Sequence, residues 1–191
     1  MNCRTAAARL LVLLSLGACT GEAILVPVLD VDGSAHAPLE VAKGAVHVLV
    51  FLSQECPIAN SYAPTLRELA TRWREQPVRL FLVHVDPDLS SRAAREHRAA
   101  YDLPGTVLLD PEHLLAQRLG VQRTPEAVVL TADGLAYCGR IDDQWEALGS
   151  RRAAAHDTDL ANAVITGLAG KFVPKPHPQA IGCRLPEPAK R

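Results

Sequence analysis

Apolar and polar residues fall in long blocks along this chain, and the blocks predict a sheet covered by helices. Ala45 to Ser53 carries Val46, Val48, Leu49, Val50, Phe51 and Leu52 in a nearly unbroken apolar run, as in a central strand buried on both faces. Val78 to Val85 repeats that pattern. Between the two, Ile58, Tyr62, Leu66, Leu69 and Trp73 recur at three- and four-residue steps, the stripe of an amphipathic helix. Pro57 suits its first turn, and Pro64, well inside the stripe, predicts a kink there. Leu89 to Ala100 is polar and Arg/Ala-rich and predicts a surface helix. Thr106 to Leu109 reads as a short strand, and Pro111 to Leu119 as a short helix closed by Gly120. Glu126 to Thr131 and Leu135 to Arg140 flank Asp133-Gly134, a hairpin turn. Asp159 to Ala169 forms a last amphipathic helix, stopped by Gly170. Near the start, Ile24 to Leu29 suits an edge strand, because Pro27 cannot donate to a ladder, and Asp32-Gly33 marks a turn. Helices alternate with apolar strands and a hairpin follows, which describes an α/β domain with a central mixed sheet flanked by helices. From Lys171 onward Pro174, Pro176, Pro178, Pro186 and Pro188 predict an extended tail, packed neither as helix nor as strand.

The N-terminus reads differently. Arg4 and Arg9 precede the apolar run Leu10 to Ala18, too short to cross a bilayer core of about 30 Å as a helix. Leu16-Gly17-Ala18-Cys19 resembles a bacterial lipobox, in which the cysteine is lipidated at sulfur and becomes the new N-terminus. A plain secretory signal cut near Ala18, or a first buried helix, stays open as an alternative. The expected organisation is a signal over 1–18, a tether over 19–23, a domain over 24–170 and a proline-rich tail over 171–191. Lipid on Cys19 would hold the domain at a membrane surface of the cell envelope or periplasm without a spanning helix.

Composition narrows the chemistry. The 191 residues are 48% hydrophobic and 21% charged, with a formal net charge of −1, an ordinary globular balance. No basic stretch suggests a nucleic-acid groove. There are five cysteines. Cys3 leaves with the signal and Cys19 is consumed by lipid, so Cys56, Cys138 and Cys183 remain; at most one internal disulfide forms among three, in a compartment that permits it. The seven histidines show no metal-ligand spacing, and no cofactor is implied; only His84, at the end of a predicted strand, faces the active-site edge.

Cys56 falls between the central strand and a helix start. There, unpaired N–H groups and the helix dipole favour thiolate over thiol, while Glu55 opposes it; an inert buried cysteine is the alternative. A strand ending near a cysteine that opens a proline-kinked helix, with Arg123-Thr124-Pro125 ahead of a later strand, resembles the thioredoxin superfamily, from about Val46 to Gly170. Four blocks carry a narrower likeness: Phe51-Leu52-Ser53-Gln54-Glu55-Cys56-Pro57-Ile58-Ala59, Thr124-Pro125-Glu126, Gly139-Arg140-Ile141-Asp142-Asp143 and Ile181-Gly182-Cys183. They look like a bacterial redoxin group in which a lone Cys-Pro replaces Cys-x-x-Cys and a Gly-Cys ends the domain.

The resemblance implies a thioredoxin-like fold and thiol chemistry at Cys56. It implies a cis Thr124-Pro125 bond that offers the Thr124 backbone to an extended substrate peptide, and Cys183 as a candidate resolving thiol. A free or intermolecular Cys183 stays open, as does an ordinary trans Pro125. The chain departs from the family in placing Ala59 where thioredoxins have their second cysteine. Against peroxiredoxins, Ser53 fits three residues before the cysteine, but Leu49 stands for their proline and Pro125 for their activating arginine; Arg123 and Arg140 are the nearby candidates. The hairpin returns Arg140, Asp142 and Asp143 toward Cys56, either to orient a substrate or as a solvated turn. Cys138 reads as a packing residue. Three functions follow: a thiol-disulfide oxidoreductase acting on protein thiols and disulfides, an antioxidant thiol peroxidase acting on hydroperoxides, or a non-catalytic envelope binding module. For the anchor, wild type incorporates radioactive fatty acid and Cys19→Ala migrates differently on a denaturing gel; unchanged mobility with no label would remove it.

Overall fold

A computed structural model describes residues 28–189. The predicted signal, Cys19, the tether and the Ile24 to Pro27 part of the predicted edge strand lie outside the described residues. A two-stranded hairpin, β1 (Val28–Leu29) and β2 (Ala35–His36), precedes the central strand β3 (Val46–Leu52). Next come α1 (Pro57–Ser61), α2 (Ala63–Arg72), β4 (Val78–His84), α3 (Ser91–Tyr101) and β5 (Thr106–Leu109). Then follow α4 (Leu114–Leu119), β6 (Arg123–Thr124), β7 (Glu126–Thr131) and β8 (Gly134–Gly139). The hairpin β9 (Trp145–Ala147) and β10 (Ser150–Arg151), the helix α5 (Asp159–Leu168) and the short β11 (Cys183–Arg184) complete the order. The five-stranded sheet runs β5-β4-β3-β7-β8. β3 is parallel to β4 and antiparallel to β7, so the sheet is mixed, as the strand–helix alternation followed by a hairpin requires.

All seven residues of β3 are buried, because both faces are covered. Val46, Val48, Val50 and Leu52 join Leu66, Trp73, Leu160 and Val164 in one core. Leu49 and Phe51 join Phe81, Val83, Leu115 and Val121 in the other. The period-two alternation of the strand thus divides its side chains between two layers. α5 lies close enough to the sheet that Gly167 faces Val46, Val129 and Thr131, where a Cβ would come to 3.3 Å from Val46 and Thr131 and 3.5 Å from Val129.

Two expectations change. The long helix breaks at Tyr62, two residues ahead of Pro64: the Tyr62 N–H bonds to the Ala59 carbonyl at 3.1 Å, and the Leu66 N–H restarts the ladder on the Tyr62 carbonyl at 2.9 Å. Proline disturbs the turn preceding it, since it lacks a donor and its ring crowds the carbonyl four residues back; Pro64 therefore sits in the first turn of α2. The tail, expected to pack as neither helix nor strand, contributes β11, antiparallel to β6 with Cys183 opposite Thr124 and Arg184 opposite Arg123. Gln179 to Leu185 carries no proline, so that stretch retains the donors a ladder needs. Outside it the tail is held by isolated bonds, from the Val173 N–H to the Ala136 carbonyl at 3.3 Å, the Arg140 N–H to the Pro178 carbonyl at 3.1 Å and the Ala189 N–H to the Pro111 carbonyl at 2.8 Å. Val28–Leu29 of β1 falls within the predicted edge strand and Asp32-Gly33 lies in the turn that follows it, whereas β2 and the hairpin β9–β10 carry too little apolar periodicity to announce themselves.

Leu66→Ala empties a fully buried position and should cost about 2–5 kcal/mol, whereas Leu148→Ala, at a side chain 70% exposed, should stay within about 0.5 kcal/mol of wild type. Urea denaturation reads both; equal midpoints for the two variants would contradict this core.

Candidate functional site

The site forms where β3 ends. The Cys56 N–H bonds to the Ser53 carbonyl at 3.1 Å, which turns the chain, and Cys56 takes the extended backbone of a helix N-cap, φ −85° and ψ 107°. Its sulfur then occupies the acceptor position that capping oxygens usually fill, 3.5 Å from the Ala59 nitrogen. Side chains from two other elements fix the turn. Asp86, just beyond β4, accepts the Ser53 hydroxyl at 2.5 Å and the Gln54 N–H at 3.0 Å. Asn60 of α1 donates to the Gln54 carbonyl at 2.9 Å. Behind Asp86, His84 Nδ1 stands 3.3 Å from its carboxylate, and the His97 ring meets His84 edge-on at 5.0 Å. Burial raises the Asp86 carboxyl, but His84, the Ser53 hydroxyl and the Gln54 N–H outweigh it and hold the group below its ordinary value. Burial, with His84 beside it, depresses His97 to about 4.

The loop before β7 forms the second wall. Thr124-Pro125 is cis. Glu126 accepts the Gln122 and Arg123 N–H groups at 2.7 and 3.1 Å and so ties the loop to the start of β7. The Thr124 carbonyl lies 3.1 Å from Cys56 Sγ, and its buried hydroxyl has no hydrogen-bond partner. The tail forms the third wall. Cys183, opposite Thr124 in the β6–β11 ladder, places its sulfur 2.6 Å from that of Cys56, and both are free cysteines. A cleft of about 530 Å³ opens from Cys56 between the Ser53–Glu55 turn, the Asp86–Ser90 loop, and Cys183, Arg184 and Pro186.

The electrostatics divide the thiols. Burial raises Cys56, but hydrogen bonding from the Cys183 thiol and the Ala59 N–H more than reverses it, so Cys56 lies below the ordinary thiol value. Burial and the neighbouring Cys56 sulfur push Cys183 upward. Of the two, Cys56 is therefore the thiol that gives up its proton more readily, and Cys183 the one that keeps it. Burial and the Glu126 carboxylate push Cys138 up to about 12, which leaves it an inert thiol packed on β8.

Cys56, Cys183, Ser53, Thr124 and Pro125 come together at this end of the sheet. Arg140, Asp142 and Asp143 do not line the cleft. Arg140 pairs with Asp159 at 2.7 Å, Asp142 accepts the Tyr62 hydroxyl at 2.6 Å, and Asp143 accepts the His156 and Asp157 N–H groups at 2.7 and 2.9 Å. These bonds anchor the loop between β8 and α5. His84 is fully buried behind Asp86. Asp86 and Asn60 had escaped sequence reasoning; a carboxylate just past the end of a parallel strand beside β3 was the available signal for the first.

Iodoacetamide alkylation of Cys56 should rise with pH to a midpoint below 9, the ordinary thiol value, since only the thiolate reacts. Cys183→Ala removes a donor to the charged sulfur and should raise that midpoint by about one pH unit. A midpoint that stays put or falls would contradict this assignment of the proton.

Solved structures share the fold. An uncharacterized conserved protein from Geobacillus kaustophilus is 21% identical with a TM-score of 0.70, over 83% of this chain and 86% of that one. A hypothetical protein from Sinorhizobium meliloti is 22% identical with a TM-score of 0.69, over 84% and 89%. A secreted Mycobacterium tuberculosis disulfide oxidoreductase homologous to Escherichia coli DsbE is 23% identical with a TM-score of 0.54, over 74% and 95%. No curated protein matches the chain. The redoxin family model matches residues 21–137, more than half the chain, and takes in Cys56, Thr124 and Pro125. With its thioredoxin-like α/β fold, the chain belongs to the redoxin family.

Proposed function

We propose that this chain is an extracytoplasmic thiol-disulfide oxidoreductase in which Cys56 is the nucleophile and Cys183 the resolving thiol. The observation that carries the reading is the pair of sulfurs 2.6 Å apart beside an open cleft, with Cys56 the more readily ionised of the two. The Cys56 thiolate attacks one sulfur of a partner's disulfide. A Cys56–partner bond forms, the partner's S–S bond breaks, and the second partner sulfur leaves as thiolate. Cys183 gives up its proton to the departing thiolate and attacks Cys56. The Cys56–Cys183 bond forms and the first partner sulfur is released. The partner gains two electrons, with one proton from Cys183 and one from solvent, and leaves as a dithiol; the chain gives up the same two electrons as its internal disulfide forms. An external dithiol then returns it to the reduced form.

Ser53 bears on the peroxidase alternative. A hydroxyl has one proton to donate, and that of Ser53 goes to Asp86, so it has none left for a peroxide oxygen. In the same reading Cys19 carries the lipid, 24–170 is the working domain and 171–191 brings the second thiol. The secreted Mycobacterium tuberculosis relative in fold supports an address outside the cytoplasm.

Reaction of the reduced protein with a disulfide-linked peptide, followed by intact mass, tests the reading. Wild type should lose two hydrogens as an internal bond forms, Cys183→Ser should stall as a peptide adduct, and Cys56→Ser should not react. Hydrogen peroxide should react no faster than with free cysteine. A fast peroxide reaction giving sulfenic acid at Cys56 would replace this function with a peroxidase, and an unreactive Cys56 would leave a binding module.

A further inference from the structure

The β6 edge already holds a strand, and that strand specifies what else fits. Gly182, just before Cys183, lies against the Thr124 carbonyl so closely that any Cβ would collide with it and approach the Pro125 ring. Only glycine is accommodated at that step of this register. Two residues on, Arg184 stands directly opposite Arg123. Side chains directly opposite in an antiparallel pair are neighbours, and like charges there destabilise it. The resident strand thus satisfies the steric demand and fails the electrostatic one. It is also short, two residues of ladder between anchors at Pro178 and Ala189, so the intervening segment can open locally without disturbing the sheet.

We propose that the β6 edge is a docking site for extended polypeptides that carry glycine immediately before the reactive cysteine and an acidic residue immediately after it, and that such a strand enters by displacing Gly182–Arg184. This rests on the oxidoreductase reading for the identity of the reactive cysteine. The Gly-Cys step slides past the Thr124 carbonyl and presents the cysteine to Cys56. The following carboxylate faces Arg123, which gains an opposite charge in place of a like one. When the partner leaves, the tail strand returns, bringing Cys183 back to Cys56. Resolution and substrate docking therefore use the same backbone edge in turn.

The test uses fluorescein-labelled peptides copying residues 178–189 with Cys183→Ser, so that no thiol chemistry contributes, and full-length protein in each case. Three peptides are compared: one otherwise unchanged, one also with Arg184→Glu, and one with both Gly182→Val and Arg184→Glu. Anisotropy should show the Arg184→Glu peptide binding about fivefold or more tighter than the unchanged one, by a margin that shrinks with added salt. The Gly182→Val peptide should not bind. Arg123→Glu in the protein should invert the charge preference. A Gly182→Val protein, whose own strand is expelled, should bind the Arg184→Glu peptide more tightly than wild type does. In wild type, hydrogen exchange over residues 181–184 should accelerate when that peptide is saturating, a reading that stands even if the Gly182→Val protein does not fold. Equal binding of the glycine and valine peptides, a charge preference indifferent to Arg123→Glu, or unchanged exchange of the native tail would overturn the proposal. An alkylation-inert Cys56 would overturn the oxidoreductase reading and leave these binding results unaltered.

Discussion

Phe51 of β3 stands opposite Glu126 of β7, and the placement of the thiol follows from that register. β3 runs toward the site and β7 runs away from it, so the residues after one strand and those before the other meet at the same edge. Cys56 follows β3 by a tight turn, Thr124 lies two residues before β7 across its cis bond to Pro125, and the two come into contact. A one-residue slip would carry every β3 side chain to the opposite layer, and both hydrophobic cores oppose it. The chemistry is thus positioned by apolar packing several residues away from the sulfur.

Around the sulfur the structure combines features that would conflict if separated. A thiolate is costly to bury, yet Cys56 is buried. The cost is offset by donors from two places remote in sequence, the first turn of α1 and the tail. The tail therefore does more than bring a second sulfur: it favours ionisation of the first. Asp86 completes the arrangement from β4 by holding Ser53 and Gln54, so the turn that aims Cys56 depends on a carboxylate that never touches it.

The sequence is legible where a residue's role is set by its neighbours along the chain. The unbroken apolar runs of β3 and β4, the helical stripe after Cys56, the Asp133-Gly134 hairpin and the closing glycines at 120 and 170 all follow from local rules, and the Cys56 and Thr124-Pro125 blocks announce the family. Pairing across the fold was less accessible. Nothing near Asp86 in sequence reveals that it faces Ser53, 33 residues away. The proline count of the tail masked a proline-free segment able to join a ladder. Arg140, Asp142 and Asp143 form a conspicuous charged block, but Asp159, Tyr62 and the loop at 156–157 claim their polar atoms, and that competition is visible only in three dimensions.

The break at Tyr62 leaves α1 as a helix of five residues, and its last residue, Ser61, accepts the indole N–H of Trp145 at 3.2 Å. An intrinsic chromophore is therefore wired to the same turn of backbone that carries the Cys56 sulfur at its other end. The second tryptophan, Trp73, is sealed in the core and provides a constant background. Changes of charge or bonding at the thiol that adjust α1 alter the polarity sensed by Trp145, so emission colour offers a label-free optical gauge of the state of this short helix.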